Sequence, residues 1–142
     1  MINICYVCAG NTCRSIMAER LMKKTLKDKG IKDVKVFSRG IFAKKENITI
    51  NAQITLKKLK AGAGNRKSIK LGKISNDTLY ILMTENMRHY VKSEKVVSMK
   101  QLIGRDISDP YGLDEDAYMS VANEIQQANK VILEKILMWR NV

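Results

Sequence analysis

The stretch VCAGNTCRS, residues 7–15, sets Cys8 five residues ahead of Arg14, which Ser15 follows. A cysteine thiolate is a strong nucleophile, and the planar guanidinium of arginine can grip two phosphate oxygens at once. The spacing alone is weak, since C-x5-R arises often by chance. Its context gives it meaning. An apolar run that reads as a strand ends at Cys8, and a helical pattern begins after Arg14. Unpaired N–H groups and the dipole at such a helix start favour an anion. Gly10 is expected to permit backbone angles that turn successive N–H groups inward as a nest. Residues Ala9, Gly10, Asn11, Thr12, Cys13, Arg14 and Ser15 would then form a phosphate-binding loop, with the Cys8 sulfur at its base. Ser15 can donate to that sulfur as phosphate leaves. The set suits a phosphoryl-cysteine intermediate.

Such chemistry needs a proton donor for the leaving group. Asp109 in ISDPYG is the expected donor, with Pro110 stiffening the loop and Tyr111 at the pocket mouth. Asp106, three residues earlier, is the rival. The same carboxylate could later deprotonate the water that hydrolyses the intermediate. Cys5 and Cys8 also form C-x-x-C, but residues i and i+3 of a strand face opposite ways, so Cys5 reads as a small core residue. A zinc site would need further ligands, and the only histidine, His89, is far off and reads as solvent-facing. Neither G-x-x-x-x-G-K-[ST] nor G-x-G-x-x-G occurs. No metal or cofactor is expected.

The elements around these residues alternate. INICYV reads as a buried strand, SIMAERLMKKTLKDKG as a helix stopped at Gly30, and VKVFS as a second strand. Thr49 can cap a helix running to Leu59, with Ile50 and Ile54 on one face. AGAGNRKS reads as a loop, TLYILM as a third strand, and Thr84 as the cap of a short helix, ENMRHYVK. KVVSM gives a short fourth strand, and LIGRDISDPYG a loop. A long helix from about Asp114 carries one stripe of Val121, Ile125, Ala128, Ile132, Ile136 and Trp139. Strand–helix alternation predicts parallel strands with right-handed crossovers and helices on both faces. In such sheets the site lies outside the carboxyl ends of the strands, where the Cys8 loop falls.

At 142 residues and 45% hydrophobic content, the chain fits one domain, 1–142. No segment has the apolar length of a membrane helix, and the N-terminal 30 residues lack signal-peptide features. A cytoplasmic protein is expected, and three cysteines argue against a disulfide framework. The net charge of +12 admits nucleic-acid attraction or steering of anionic substrates. The lysines are scattered without interleaved aromatic residues, so a solvated basic surface is favoured and no nucleic-acid or membrane partner is expected.

These residues resemble the low molecular weight phosphotyrosine protein phosphatase family. VCAGNTCRSIMAE is similar to its N-terminal signature and DPYG to its late Asp-Pro loop, and element order agrees along essentially the whole chain. The resemblance implies a three-layer α/β/α fold with a four-stranded parallel sheet. It implies Cys8 as nucleophile, Arg14 as phosphate ligand, Asp109 as general acid and base, Asn11 as a loop-shaping residue and Ser15 as the thiolate's helper. Cys13 resembles the family's second cysteine, which can form a protective reversible disulfide with Cys8. Phosphorylated protein substrates, inorganic phosphate as product and a monomer are implied. Thr12 and Gly112 resemble the bacterial branch that includes protein arginine phosphatases, so phosphoarginine is the leading substrate and phosphotyrosine the alternative. Thr12, Phe42 and Tyr111 are the expected substrate-pocket residues.

Ile16 departs from the family's proline, SRG from its Ser-Ala-Gly, and Asn65 stands where a histidine is common. Arsenate reductases share the loop but use later cysteines, and none follows Cys13 here. A non-catalytic phosphate-binding module would need the cradle but not Cys8 together with Asp109.

Overall fold

The computed structural model describes residues 1–62 and 64–140. Four strands, β1 (Ile2–Cys8), β2 (Val34–Gly40), β3 (Thr78–Leu82) and β4 (Val96–Ser98), form one sheet ordered β2-β1-β3-β4. Every pairing is parallel, with Cys8 opposite Gly40 and Val7 opposite Leu82. Four helices join them: α1 (Arg14–Asp28), α2 (Ile50–Lys58), α3 (Met99–Ile103) and α4 (Glu115–Arg140), with a short 3₁₀ helix at Glu85–His89. The loop expected over 61–68 contains residue 63, and the expected domain ends with residues 141–142; these three lie outside the described residues. No helix among the described residues is long and apolar enough to cross a membrane.

The chain leaves β1 to build β2 on one side and later returns to build β3 on the other. That reversal opens a crevice at the carboxyl end of β1. Alternation along β1 divides the core. Ile4, Tyr6 and Cys8 face the larger cluster, packed with Ile16, Met17, Leu56 and the α4 stripe from Val121 to Ile136. Cys5 and Val7 face a smaller cluster with Tyr80, Leu82, Met87 and Val91. Cys5 and Cys8 therefore belong to opposite faces of the sheet. The first face carries α1, α2 and α4. The second is covered by the 3₁₀ helix and by Ile41, Leu71 and Ile74.

Five expectations are corrected. Ile50 is 74% exposed and does not share a buried face with Ile54; α2 turns Ala52, Thr55 and Leu56 inward instead. Thr49 stands at the N-cap position of α2 but its side chain makes no capping bond. Its backbone N–H donates to the Thr12 carbonyl oxygen at 3.0 Å, which ties the helix start to the Cys8 loop. Trp139 leaves the α4 stripe and is 57% exposed, because the last turn runs past the core to the amino-terminal strand ends beside Met1 and Ile2. Leu102 and Ile103, read as loop, end α3, which a capping box between Ser98 and Gln101 starts and left-handed Gly104 (φ 82°) stops. Thr84 does not cap the 3₁₀ helix either; the Asp106 carboxylate accepts the Glu85 N–H at 2.9 Å.

Candidate active site

The segment after β1 is fastened on both sides. Ile41 N–H donates to Cys8 O at 3.0 Å and Phe42 N–H to Ala9 O at 2.8 Å, so the chain beyond β2 clamps the start of the loop. Gly40 makes this approach possible: a Cβ there would meet Asn11 Cβ, Asn11 N and Gly10 C at 2.8 Å. The left-handed residue of the loop is Asn11, with φ 56°. Asparagine tolerates that region better than most residues, and its side chain is buried and fully engaged.

The Asn11 contacts fix the orientation of its amide. Ile69 N–H and Arg66 Nη1 both donate to Oδ1, at 2.9 and 3.3 Å, so Nδ2 must be the donor to Ser15 Oγ at 2.7 Å and to Ser38 Oγ at 3.0 Å. With its oxygen accepting from Asn11, Ser15 can aim its proton at Cys8 Sγ, 2.9 Å away. Asn11 N–H points at the same sulfur from 3.1 Å. Two donors thus converge on Cys8, an arrangement that suits a thiolate. Behind them, Ser38 Oγ accepts from Arg66 Nη2 at 2.6 Å and donates to Glu19 Oε1 at 2.7 Å. Arg66 Nη2 reaches the same Glu19 oxygen at 3.1 Å.

Above the sulfur is a small cleft of about 280 Å³, lined by Cys8, Gly10–Arg14, Glu46, Asp109 and Tyr111. Arg14 is buried; its Nη1 donates to Ile107 O at 3.1 Å, and Nη2 lies 3.7 Å from Asp109 Oδ2. Its Nε is buried with no partner among the described residues. The N–H groups of Gly10, Thr12, Cys13 and Ser15 likewise have no backbone acceptor among the described residues. Unused donors around one concavity form a site for an oxyanion. Asp109 is half exposed, and its Oδ1 accepts Tyr111 N–H at 3.1 Å, which holds the carboxylate at the cleft rim. Asp106, spent on the 3₁₀ helix, does not line the cleft.

Cys13 lies on the same rim, its sulfur 3.7 Å from Asp109 Oδ1. Burial, then the neighbouring Cys8 and Asp109, push its thiol up to about 12. Thr12 and Tyr111 line the cleft, whereas Phe42 stands outside that lining, exposed, with its ring edge-on to Tyr90 at 5.3 Å. His89 is exposed. Among the described residues, no group of three or more His, Cys, Asp or Glu could hold a metal ion.

Sequence reasoning passed over four residues that belong here. Glu46 lines the cleft, and Ser38, Glu19 and Arg66 form the support behind Asn11. Glu19 lay within the quoted motif, but nothing in one sequence joins it to Arg66. Arg66, next to Asn65, makes the contact to Asn11 and Glu19.

The sequence pattern of the low molecular weight phosphotyrosine protein phosphatase family matches residues 3–139. A protein-arginine-phosphatase from Geobacillus stearothermophilus is 30% identical over 144 residues, covering 94% of this chain and 95% of that protein. A solved YwlE arginine phosphatase, a Cys-to-Ser mutant with a phosphorylated active-site serine, superposes with a TM-score of 0.85 at 27% identity, covering 95% of each chain. A low molecular weight protein tyrosine phosphatase from T. tengcongensis also gives a TM-score of 0.85 at 27% identity, over 95% of this chain and 99% of that one.

Proposed function

Because the chain belongs to the low molecular weight phosphotyrosine protein phosphatase family, and is a hydrolase of phosphorylated protein side chains, we propose that residues 1–142 act as one phosphatase domain whose preferred substrate is phosphoarginine. The observation that carries the chemistry is the convergence of the Cys8 sulfur, the buried Arg14 guanidinium and the Asp109 carboxylate on one small cleft. Arg14 and the loop N–H groups hold three phosphoryl oxygens. Cys8 Sγ attacks phosphorus, the P–N bond breaks, and protonated Asp109 gives its proton to the departing guanidine nitrogen. Water then attacks the phosphoryl-cysteine while Asp109 takes its proton. Phosphate leaves and the thiolate returns to its Ser15 and Asn11 donors. Every step uses the chain's own side chains, without a cofactor.

The cleft lining supports arginine over tyrosine. Two carboxylates, Glu46 and Asp109, and the hydroxyl of Thr12 line it, while among the described residues its only aromatic ring is the exposed Tyr111. The Glu46 carboxylate suits a cationic guanidinium, with Asp109 beside it as the proton donor; a phenyl ring would want apolar walls. The reading extends to a cytoplasmic monomer without nucleic-acid or membrane partners, and to a Cys8–Cys13 disulfide. In that step peroxide oxidises Cys8 to the sulfenic acid, releasing water, and Cys13 displaces a second water to close the bond.

The test is phosphate release from p-nitrophenyl phosphate, a phosphotyrosine peptide and a phosphoarginine protein, with wild type and Cys8→Ser side by side. The expected result is the highest kcat/KM on phosphoarginine and no turnover by the folded variant. Preference for phosphotyrosine would overturn the substrate assignment, and turnover by Cys8→Ser would overturn the mechanism.

A further inference from the structure

Beside the cleft lies a second concavity of about 600 Å³, walled by residues 43–45 on one side and 66–70 on the other. The two walls are pinned together: Ser68 N–H donates to Glu46 O and Glu46 N–H donates to Ser68 Oγ, both at 2.8 Å. Glu46, which follows Lys45, belongs to the wall of the catalytic cleft, so the two hollows are neighbours. Arg66 turns inward to Glu19 and Asn11. That leaves Lys44, Lys45, Lys67 and Lys70, all exposed, around a base that includes Ala43 and Ile69. Among the described residues none of these four lysines is paired with a carboxylate, whereas Lys23, Lys24 and Lys58 pair with Glu19, Asp28 and Glu115.

Four ammonium groups around one concavity repel one another and focus a positive potential that an anionic guest would relieve. We propose that this hollow receives an acidic stretch of the phosphoprotein substrate, so that the enzyme selects phosphorylated residues flanked by Asp or Glu; this rests on the phosphatase assignment above. Its position favours peptide over nucleic acid. It adjoins a cleft that acts on protein side chains, and among the described residues no aromatic ring lines it on which a base could stack. Its size suits a few short acidic side chains.

The experiment compares phosphopeptides that differ only in flanking residues, three Glu against three Gln or three Lys. Wild type should favour the Glu peptide by about fivefold in kcat/KM, the value expected of two or three exposed charge pairs, with the gain in KM and lost at high salt. Lys44→Gln with Lys70→Gln should erase the preference, and Lys44→Glu with Lys70→Glu should reverse it toward the Lys peptide, with both variants melting like wild type. Equal rates on all three peptides by an enzyme active on p-nitrophenyl phosphate would overturn this proposal alone. Inactivity on p-nitrophenyl phosphate would instead remove the phosphatase assignment. Inhibition by a single-stranded oligonucleotide at concentrations where a Glu-rich peptide is silent would also overturn it.

Discussion

Arg66→Met isolates what holds the phosphate loop in shape. The substitution removes four donated hydrogen bonds, to Asn11 Oδ1, Glu19 Oε1, Ser38 Oγ and the exposed Lys67 carbonyl oxygen. Glu19 has a side chain only 4% exposed, so it cannot turn to water for compensation. Breaking a fully buried ion pair costs about 3–5 kcal/mol, since the survivor is left charged and uncompensated. Two features reduce that here. Arg66 is 27% exposed, and Glu19 keeps Lys23 Nζ at 3.1 Å and the Ser38 hydroxyl at 2.7 Å. The expected loss is about 2 kcal/mol, or about 6 °C in Tm for a chain of this size. Asn11 would also lose one of the two donors that fix its amide, so the Ser15 proton should point at Cys8 less of the time and kcat should fall. Urea unfolding of Arg66→Met, Glu19→Gln and the double variant makes the test quantitative. Much of the Arg66→Met loss is the unpaired buried charge of Glu19, which Glu19→Gln removes, so the double variant should lose about 1–2 kcal/mol less than the sum of the singles. Additive losses, or Arg66→Met with wild-type Tm and kcat, would refute the claim that this ion pair supports the loop.

Four other outcomes follow from the geometry. Asp109→Asn should slow substrates with poor leaving groups most, while Asp106→Asn, which loses the cap on the 3₁₀ helix, should lower Tm and leave the leaving-group dependence intact; the reverse pattern in a series of aryl phosphates would mean the wrong carboxylate has been chosen. Gly40→Ala drives a methyl group against Asn11 and Gly10 backbone, costing about 1–3 kcal/mol and most of the activity, whereas Gly72→Ala, with nothing nearby, should be silent in the same melting and turnover assays. Burial pushes the Cys5 thiol up to about 12 from 9.0. A raised thiol value means stability present below pH 9 and lost as pH rises through about 12, with a slope of about 1.4 kcal/mol per unit per thiol. Cys5→Ala should flatten the alkaline limb in urea titrations by that amount, and an unchanged slope would count against the assignment. Peroxide inactivation should be reversible by thiols in wild type and irreversible in Cys13→Ser, and its reversal should become more complete as pH rises, because the Cys13 thiol titrates so high.

The nucleophile, the phosphate-gripping arginine and the strand-loop-helix that carries them were legible because they lie within one continuous segment. Local chemistry and local propensity agree there, and period-2 alternation through β1 already separated Cys5 from Cys8. The parallel order of the sheet followed from strand–helix alternation. Helix faces were less legible. Ile50 and Trp139 fit their periodic patterns yet stand in solvent, because each sits on an end turn where the neighbouring elements, not the period, decide burial. The capping box at Ser98 and Gln101 is a local signal that the three-residue spacing carries. What only the tertiary structure decided is which distant residues meet. Asn11, not Gly10, takes the left-handed turn, because Ile69, Arg66 and Ser38 engage its side chain. Asp109 and not Asp106 reaches the cleft, since one carboxylate is held at the rim by its own loop and the other is drawn away by the Glu85 N–H. Glu46 joins the cleft through a backbone pairing with Ser68, 22 residues away. Sequence records chemistry and local shape; a contact between segments separated by tens of residues depends on the packing of every element between them, and no spacing along the chain encodes it.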